Sequence, residues 1–457
     1  MEKSTREKYL FEKASVFEAI LKLAFPTVIG QIILVIYNMA DTFFVGLAGS
    51  DEKLTAVTVC MPAFMFLSAI SNLFGVGGSS VISRSLGSKN PERAKGAASF
   101  AIWGCMAVTL LYALLAFLFS DLFVNLLGGS DPSVHAYASE YLLVTVVLGG
   151  FGTSMNTLLG HLVRSEGRSL HASIGIALGG ILNIGLDPLF MFVLLPEGCE
   201  TLGAAVATAL SNLIALVYFI VVIARIRGKS VISFKMRTEK WSSGMISDLL
   251  MTGLPACLMT LFENISYAIL DNLISSAGVV IQAGIGVAKK VNMLAHCIVR
   301  GMTQGVLPLI GYSFAAGNIK RMRTTVLTST TLSVVMASLC MTASLLFSRT
   351  LVGLFIHNNP ESLAAGARFL RILALGGPFS ACAYAFISFF QAVGRGKRSF
   401  ILAIMRKGLI DIPMMFALSA ALGCVSCVWA TPVTDMICCG VAIFFFVTFM
   451  KRHPAKN

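Results

Sequence analysis

Apolar residues fill this chain in long stretches, and short polar segments separate them. Twelve of the stretches predict helices, over about 17–45, 53–83, 96–126, 134–160, 169–195, 200–226, 244–275, 280–313, 323–347, 361–393, 399–420 and 425–450. Each reaches the roughly 20 residues that an α-helix needs to cross a bilayer. Several are longer, which implies tilt or extension into the cytoplasm. Pro26, Pro62, Pro188, Pro255, Pro308, Pro378, Pro413 and Pro432 fall inside them. A membrane helix tolerates proline where neighbours satisfy the freed carbonyls.

The polar segments alternate in charge. Lys3, Arg6, Lys8, Lys13 and Lys22 precede or open the first span. Arg84, Lys89, Arg93 and Lys95 follow the second, Arg164 and Arg168 the fourth, and Arg225, Arg227, Lys229, Lys235, Arg237 and Lys240 the sixth. Lys320, Arg321 and Arg323 follow the eighth, Arg395, Lys397 and Arg398 the tenth, and Lys451, Arg452 and Lys456 the last. The intervening segments hold little basic charge beyond Lys53 and Arg349, and carry Asp51, Glu52, Asp131, Glu197 and Glu200. Lys and Arg collect on the cytoplasmic side, so both termini are expected there, which requires an even number of spans.

The longest basic segment, Arg225 to Lys240, divides the chain into similar halves. Ala24-Phe25-Pro26 and Gly253-Leu254-Pro255 open their first spans, with Asp41 and Asp271 further along each. Lys89-Asn90-Pro91 and Gly317-Asn318-Ile319 follow the second spans. Arg164-Ser165-Glu166-Gly167 and Gly394-Arg395-Gly396-Lys397 precede the fifth, which then carry Asp187-Pro188 and Asp411-Ile412-Pro413. The offset between matches stays at about 225–230 residues, the signature of an internal repeat. The expected architecture is an all-α membrane protein. Its twelve transmembrane helices form two pseudo-symmetric six-helix lobes, residues 1–228 and 229–457, around a central cavity. Parallel repeats of this kind build transporters.

Composition agrees: 56% of the 457 residues are hydrophobic and 12% charged, against about 25% charged in soluble proteins. Mean hydropathy is +0.82. The net charge of +13 comes from basic residues in short segments between apolar runs, as a membrane topology requires, which argues against nucleic acid. The 11 Cys lie mostly inside apolar runs and read as small buried hydrophobes. Met1–Lys13 shows no signal-peptide pattern. No phosphate loop, H-E-x-x-H or nucleophile elbow occurs, so an enzyme is not expected.

Charged side chains inside the spans are costly and point to function. Tyr37, Asn38 and Asp41 share about one face of the first helix. Asn183 and Asp187, four apart, share a face of the fifth. With Asp41 they make an oxygen-rich pocket suited to a monovalent cation or to one shared proton. Asp187 has the alternative of pairing with a basic residue, and Asp41 that of facing water. Asn156, Tyr141 and Thr208 are looser candidates, equally suited to bonding helices together. In the second half the candidates are Glu263, Asp271, Arg300, Arg406, Asp411 and Asp435. Lys289, Lys290 and Lys407 lie in the same spans, so a network of ion pairs that holds this lobe together or lines its cavity is expected.

Several stretches resemble the multidrug and toxic compound extrusion (MATE) family: Tyr37-Asn38-Met39-Ala40-Asp41-Thr42-Phe43-Phe44-Val45-Gly46, Gly75-Val76-Gly77-Gly78-Ser79-Ser80 with Ser83-Arg84-Ser85-Leu86-Gly87, and Arg164-Ser165-Glu166-Gly167. Gly305–Tyr312, Gln391–Gly396 and Pro432–Asp435 resemble it in the second half. The resemblance implies a multi-pass cell-membrane antiporter, without cofactor and expected as a monomer. It would export small cationic amphipathic compounds in exchange for protons or sodium ions by alternating access. It also implies that Asp41, Asn183 and Asp187 form the first-lobe proton or Na+ site. One branch of the family has a Glu matching Glu263 and an Asp on the tenth helix; no Asp stands between Arg371 and Gln391 here. The rival reading is a lipid-linked oligosaccharide flippase of the same broad superfamily, with Lys289, Lys290, Arg300, Arg371 and Arg406 as cations for a pyrophosphate.

Overall fold

A chain that leaves water must bond its own backbone, and a helix does so within one segment. The described part of the chain is accordingly helical, with no strand among the described residues. The computed structural model describes residues 4–47, 51–129, 131–356 and 359–454. Lys3 and Lys456, which count among the basic termini, and the side chain of Asp51 lie outside them.

The helices are α1 (Ser4–Glu12), α2 (Val16–Leu47), α3 (Asp51–Gly87), α4 (Pro91–Leu118), α5 (Ser120–Leu127), α6 (Pro132–Leu142), α7 (Gly150–Ser165), α8 (Ser169–Leu189) and α9 (Glu200–Arg225). After the linker come α10 (Ser243–Ser275), α11 (Val279–Ala315), α12 (Ile319–Gly353), α13 (Pro360–Leu375), α14 (Gly377–Ala392), α15 (Gly396–Ile404), α16 (Asp411–Leu422) and α17 (Ala430–Arg452). Among the described residues, nine helices are long and apolar enough to cross a membrane. The number rises to eleven if the bent pairs α6/α7 (47°) and α13/α14 (44°) each count as one span. The stretch expected as the eleventh span, 399–420, is divided into α15, a π-helical turn at Met405–Leu409 and α16. Arg406, Lys407 and Asp411 stand at that division, which leaves helices of 9 and 12 residues.

The repeat shows in local geometry. Asn90 Oδ1 accepts from Arg93 N at 3.0 Å and Asn318 Oδ1 from Arg321 N at 2.9 Å, each capping the helix that follows. The preceding helices close alike, with Asn90 N on Ser85 O at 2.8 Å and Asn318 N on Ser313 O at 2.9 Å. Each of these turns requires a residue at positive φ: Gly317 at 74° in one, Lys89 at 57° in the other.

The residues pack as two compact units, Met1–Glu7 with Ile29–Cys257 and Lys8–Val28 with Leu258–Asn457. Helices α2 and α10 are therefore each divided between units, next to Pro26 and Pro255. The first unit buries one continuous apolar core drawn from α3, α4, α6, α7 and α9. Its linker is tied down by Glu166, which accepts from Val231 N at 2.7 Å and Ser230 Oγ at 2.8 Å. Burial pushes the Glu166 carboxyl above the ordinary range, against those two bonds. Arg84 and Arg93 pair with Asp248 at 3.0 and 2.8 Å.

Small residues set how closely α3 and α10 approach in this unit. A Cβ on Gly253 would lie 1.7 Å from Leu73 O, and one on Gly77 2.2 Å from Leu249 O. Both obstacles are backbone, so neither can rotate aside. Overpacking typically costs about 1–3 kcal/mol. Gly253→Ala is expected at or above the top of that range, read as a lowered unfolding temperature of the purified protein. An unchanged temperature would refute the close packing.

Candidate functional site

The fifth predicted span, observed as α8, carries Asn183 and Asp187 one turn apart, and the helix places both in the interior of the first unit. They are 1% and 0% exposed. Asn183 Nδ2 donates to Asp187 Oδ1 at 3.0 Å and to Thr208 Oγ1, on α9, at 3.2 Å. Asp187 Oδ2 and Asn183 Oδ1 are buried without a hydrogen bond among the described residues, and Asp187 makes no ion pair there. A buried polar atom without a partner costs about 1–3 kcal/mol, and more when charged. Helix α8 carries Pro188 one residue before its end at Leu189, and a π-helical turn follows at Phe190–Leu194. Such turns occur frequently at functional sites.

Asp41, on α2, is 5% exposed. Its carboxyl group lies within electrostatic reach of that of Asp187, and Tyr37 and Tyr141 lie within reach of both. Gly180 allows this approach of α2 to α8: a Cβ there would lie 3.3 Å from Ile33 Cγ2 and 3.4 Å from Tyr37 Cβ. Tyr141, on α6, is buried. Asn38 Nδ2 donates to Leu34 O of its own helix at 2.7 Å.

Asn156, on α7, joins by a relay. Its Nδ2 donates to Asn212 Oδ1 at 3.1 Å, and Asn212 Nδ2 donates to Thr208 O at 3.0 Å. Asn212 escaped the sequence reading, although it lies one turn from Thr208 on the same helix. The structure thus gathers Asp41, Asp187, Asn183 and Thr208 with both tyrosines and sets Asn156 at the end of a chain. Two carboxylates at close quarters in a dry interior cannot both stay charged cheaply. A proton or a monovalent cation between them relieves the repulsion, and the free oxygens of Asp187 and Asn183 suit a hard cation.

In the second unit the candidates pair off. Arg406 Nε donates to Asp435 Oδ1 at 2.7 Å with both side chains 1% exposed. Lys407 Nζ donates to Asp411 Oδ2 at 3.1 Å. Asp411 also accepts from Ser266 Oγ at 2.7 Å and Thr431 Oγ1 at 3.1 Å. Arg300 pairs with Glu263, and Lys289 with Asp271. The π-helical turn Met405–Leu409 widens the helix, and the consecutive Arg406 and Lys407 both face inward, 1% and 2% exposed.

Two tyrosines that the sequence did not single out sit among these cations. The Arg406 guanidinium lies 4.2 Å from the Tyr384 ring centroid, and Lys407 and Lys289 lie 5.6 and 5.5 Å from that of Tyr267, within cation–π range. Tyr267 stands one helical turn after Glu263, a spacing that could have flagged it. Ser380 Oγ accepts from Arg406 Nη2 at 3.0 Å and lies 3.3 Å from His296 Nδ1.

A family model described as MatE matches the chain twice, over residues 26–189 and 255–417. The multidrug export protein MepA of Staphylococcus aureus (strain NCTC 8325 / PS 47) is 30% identical over 446 residues, covering 97% of this chain and 96% of that one. MepA of Staphylococcus haemolyticus is 28% identical over 444 residues with the same coverage. A crystal structure of MATE in complex with MaL6 superposes with a TM-score of 0.90 at 24% identity, covering 98% of this chain and 99% of that one. The outward-facing conformation of a multidrug resistance MATE family transporter of the MOP superfamily gives 0.88 at 24% identity, covering 99% of each chain. At these identities the two structures speak for the fold.

Proposed function

Because the chain belongs to the multidrug and toxic compound extrusion family, we propose that it is a secondary active antiporter of the cell membrane. It exports cationic amphipathic drugs in exchange for protons or sodium ions, as a monomer with both termini cytoplasmic. The relatives' description as multidrug export proteins supports the cargo. The observation that carries the coupling is the burial of two carboxyl groups, Asp41 and Asp187, in one unit, with Asp187 lacking any basic partner among the described residues. Such a pair has one strong demand, a positive charge, and an ion gradient can supply it.

In the outward-open state a proton or sodium ion binds at Asp41, Asn183 and Asp187, with Thr208 supporting Asn183. Neutralisation favours dry packing around α2, and the protein loses affinity for the cationic drug, which leaves. The ion is released to the cytoplasm in the inward state. Ion and drug must each bind one state better than the other, and their coupling is reciprocal. The flippase reading needs cations free to meet a pyrophosphate. Of its five cations, Lys289, Arg300 and Arg406 each hold a carboxylate, which weighs against it, while Arg371 donates to Ser348 Oγ at 2.8 Å.

The test is efflux of a fluorescent cation from vesicles with a pH gradient and a sodium gradient imposed separately. One of the two is expected to drive uphill efflux, and dissipating it to stop the flux. Rates indifferent to both gradients would rule out antiport.

A further inference from the structure

Four ion pairs between the candidate residues of the second unit differ in which partner is the more exposed. In Arg406–Asp435 both side chains are 1% exposed, and in Lys407–Asp411 they are 3% and 0% exposed. In Lys289–Asp271 the acid is the open partner, 42% exposed against 13% for the lysine. Arg300–Glu263 reverses this, with the arginine side chain 34% exposed over a carboxylate that is 14% exposed. Glu263 is therefore a shielded anion whose covering group is a cation reachable from outside.

The pair is not a two-nitrogen fork. A strong arginine–carboxylate pair uses two nitrogens in a fork. Here a single nitrogen, Nη2, serves both Glu263 oxygens, while Arg300 Nε is buried without a partner among the described residues. The same Nη2 reaches Tyr384 OH at 3.4 Å, and the guanidinium lies 5.8 Å from the Tyr384 ring centroid. A buried carboxylate beside an aromatic ring is the chemistry that receives an organic cation.

We propose that Glu263 and Tyr384 form a subsite for an organic monocation, and that Arg300 occupies it in this structure as a tethered competitor. The inference rests on the reading that the cargo is cationic. A drug entering the subsite displaces the guanidinium toward the side on which it is already exposed. Glu263 exchanges one cation for another and is never left bare, so removal of a buried charge's partner, which is the costly event, is avoided. The affinity of the subsite is set by how often Arg300 vacates it.

Equilibrium binding of tetraphenylphosphonium and ethidium to purified protein, with no ion gradient, tests this. If Arg300 fills the subsite about nine-tenths of the time, its removal raises apparent affinity roughly tenfold, because the dissociation constant scales inversely with the open fraction. Arg300→Met is expected to show that gain. Arg300→Lys, which keeps a competing cation, should stay near wild type. Glu263→Gln should weaken binding, and the Glu263→Gln/Arg300→Met double variant should lack the gain. Arg300→Gln carries the same expectation as Arg300→Met should the latter not fold. Unchanged or weakened binding in the Arg300→Met and Arg300→Gln proteins would show the pair to be structural and overturn the subsite, as would failure of every variant to bind either probe. Tighter binding with efflux blind to both gradients would leave the subsite standing and overturn antiport alone.

Discussion

Asp187→Asn, and separately Asp41→Asn, are expected to abolish gradient-driven drug export, lowering it at least ~100-fold toward the leak of protein-free vesicles. The magnitude follows from what a coupling ion must do. Swinging a two-state equilibrium from 1:99 to 99:1 needs about 5.5 kcal/mol of differential binding. An amide in place of either carboxylate removes the charge that draws the ion in. Asp187 sits where no other group can substitute, since its side chain is 0% exposed and Asn183 is its hydrogen-bond partner. Thr208→Val should be milder, because it removes a hydroxyl that supports Asn183 and no charge. Loss of transport through misfolding has a different signature. Removing one of two buried carboxyl groups relieves strain, so both variants should unfold at or above the wild-type temperature in the absence of coupling ion. Wild-type export rates in either variant would overturn the assignment.

Arg406→Met is expected to destabilise the protein by about 3–5 kcal/mol, the cost of leaving a buried charge without its partner. Asp435 is 1% exposed and cannot turn to water when the guanidinium is gone. The same substitution strips the face of Tyr384 and the hydrogen bond to Ser380. A double variant, Arg406→Met with Asp435→Leu, should recover most of the loss, because a buried ion pair replaced by apolar groups of similar volume is often neutral. Lys22→Ala at the exposed Lys22–Glu18 pair, with side chains 48% and 35% exposed, should cost less than about 1 kcal/mol. Unfolding of the purified proteins by heat or denaturant measures all three. Equal effects of Arg406→Met and Lys22→Ala would refute the internal network.

The helices, and the presence of a repeat, were legible because both are written in neighbouring residues. Hydrophobic length reports a span, and the pairs Asn90/Asn318 and Lys89/Gly317 report the same turn made twice. Asn183 and Asp187 were legible together because four residues make about one helical turn. The division of α15 from α16 was not, because the hydropathy of 399–420 says nothing about a π-helical turn; only packing decides that Arg406 and Lys407 both turn inward.

By itself, the order of residues determined that the chain is helical and built to span a membrane, that its halves repeat, and which few side chains would be expensive to bury. Tertiary structure alone decided their partners: Thr208 and not a basic residue beside Asn183 and Asp187, Asp435 for Arg406, Asp411 for Lys407 and Glu263 for Arg300. The reason is one of range. Helical propensity and apolarity act between residues a turn apart, whereas a buried charge is satisfied by whichever opposite group the packing of distant helices brings within about 3 Å of it.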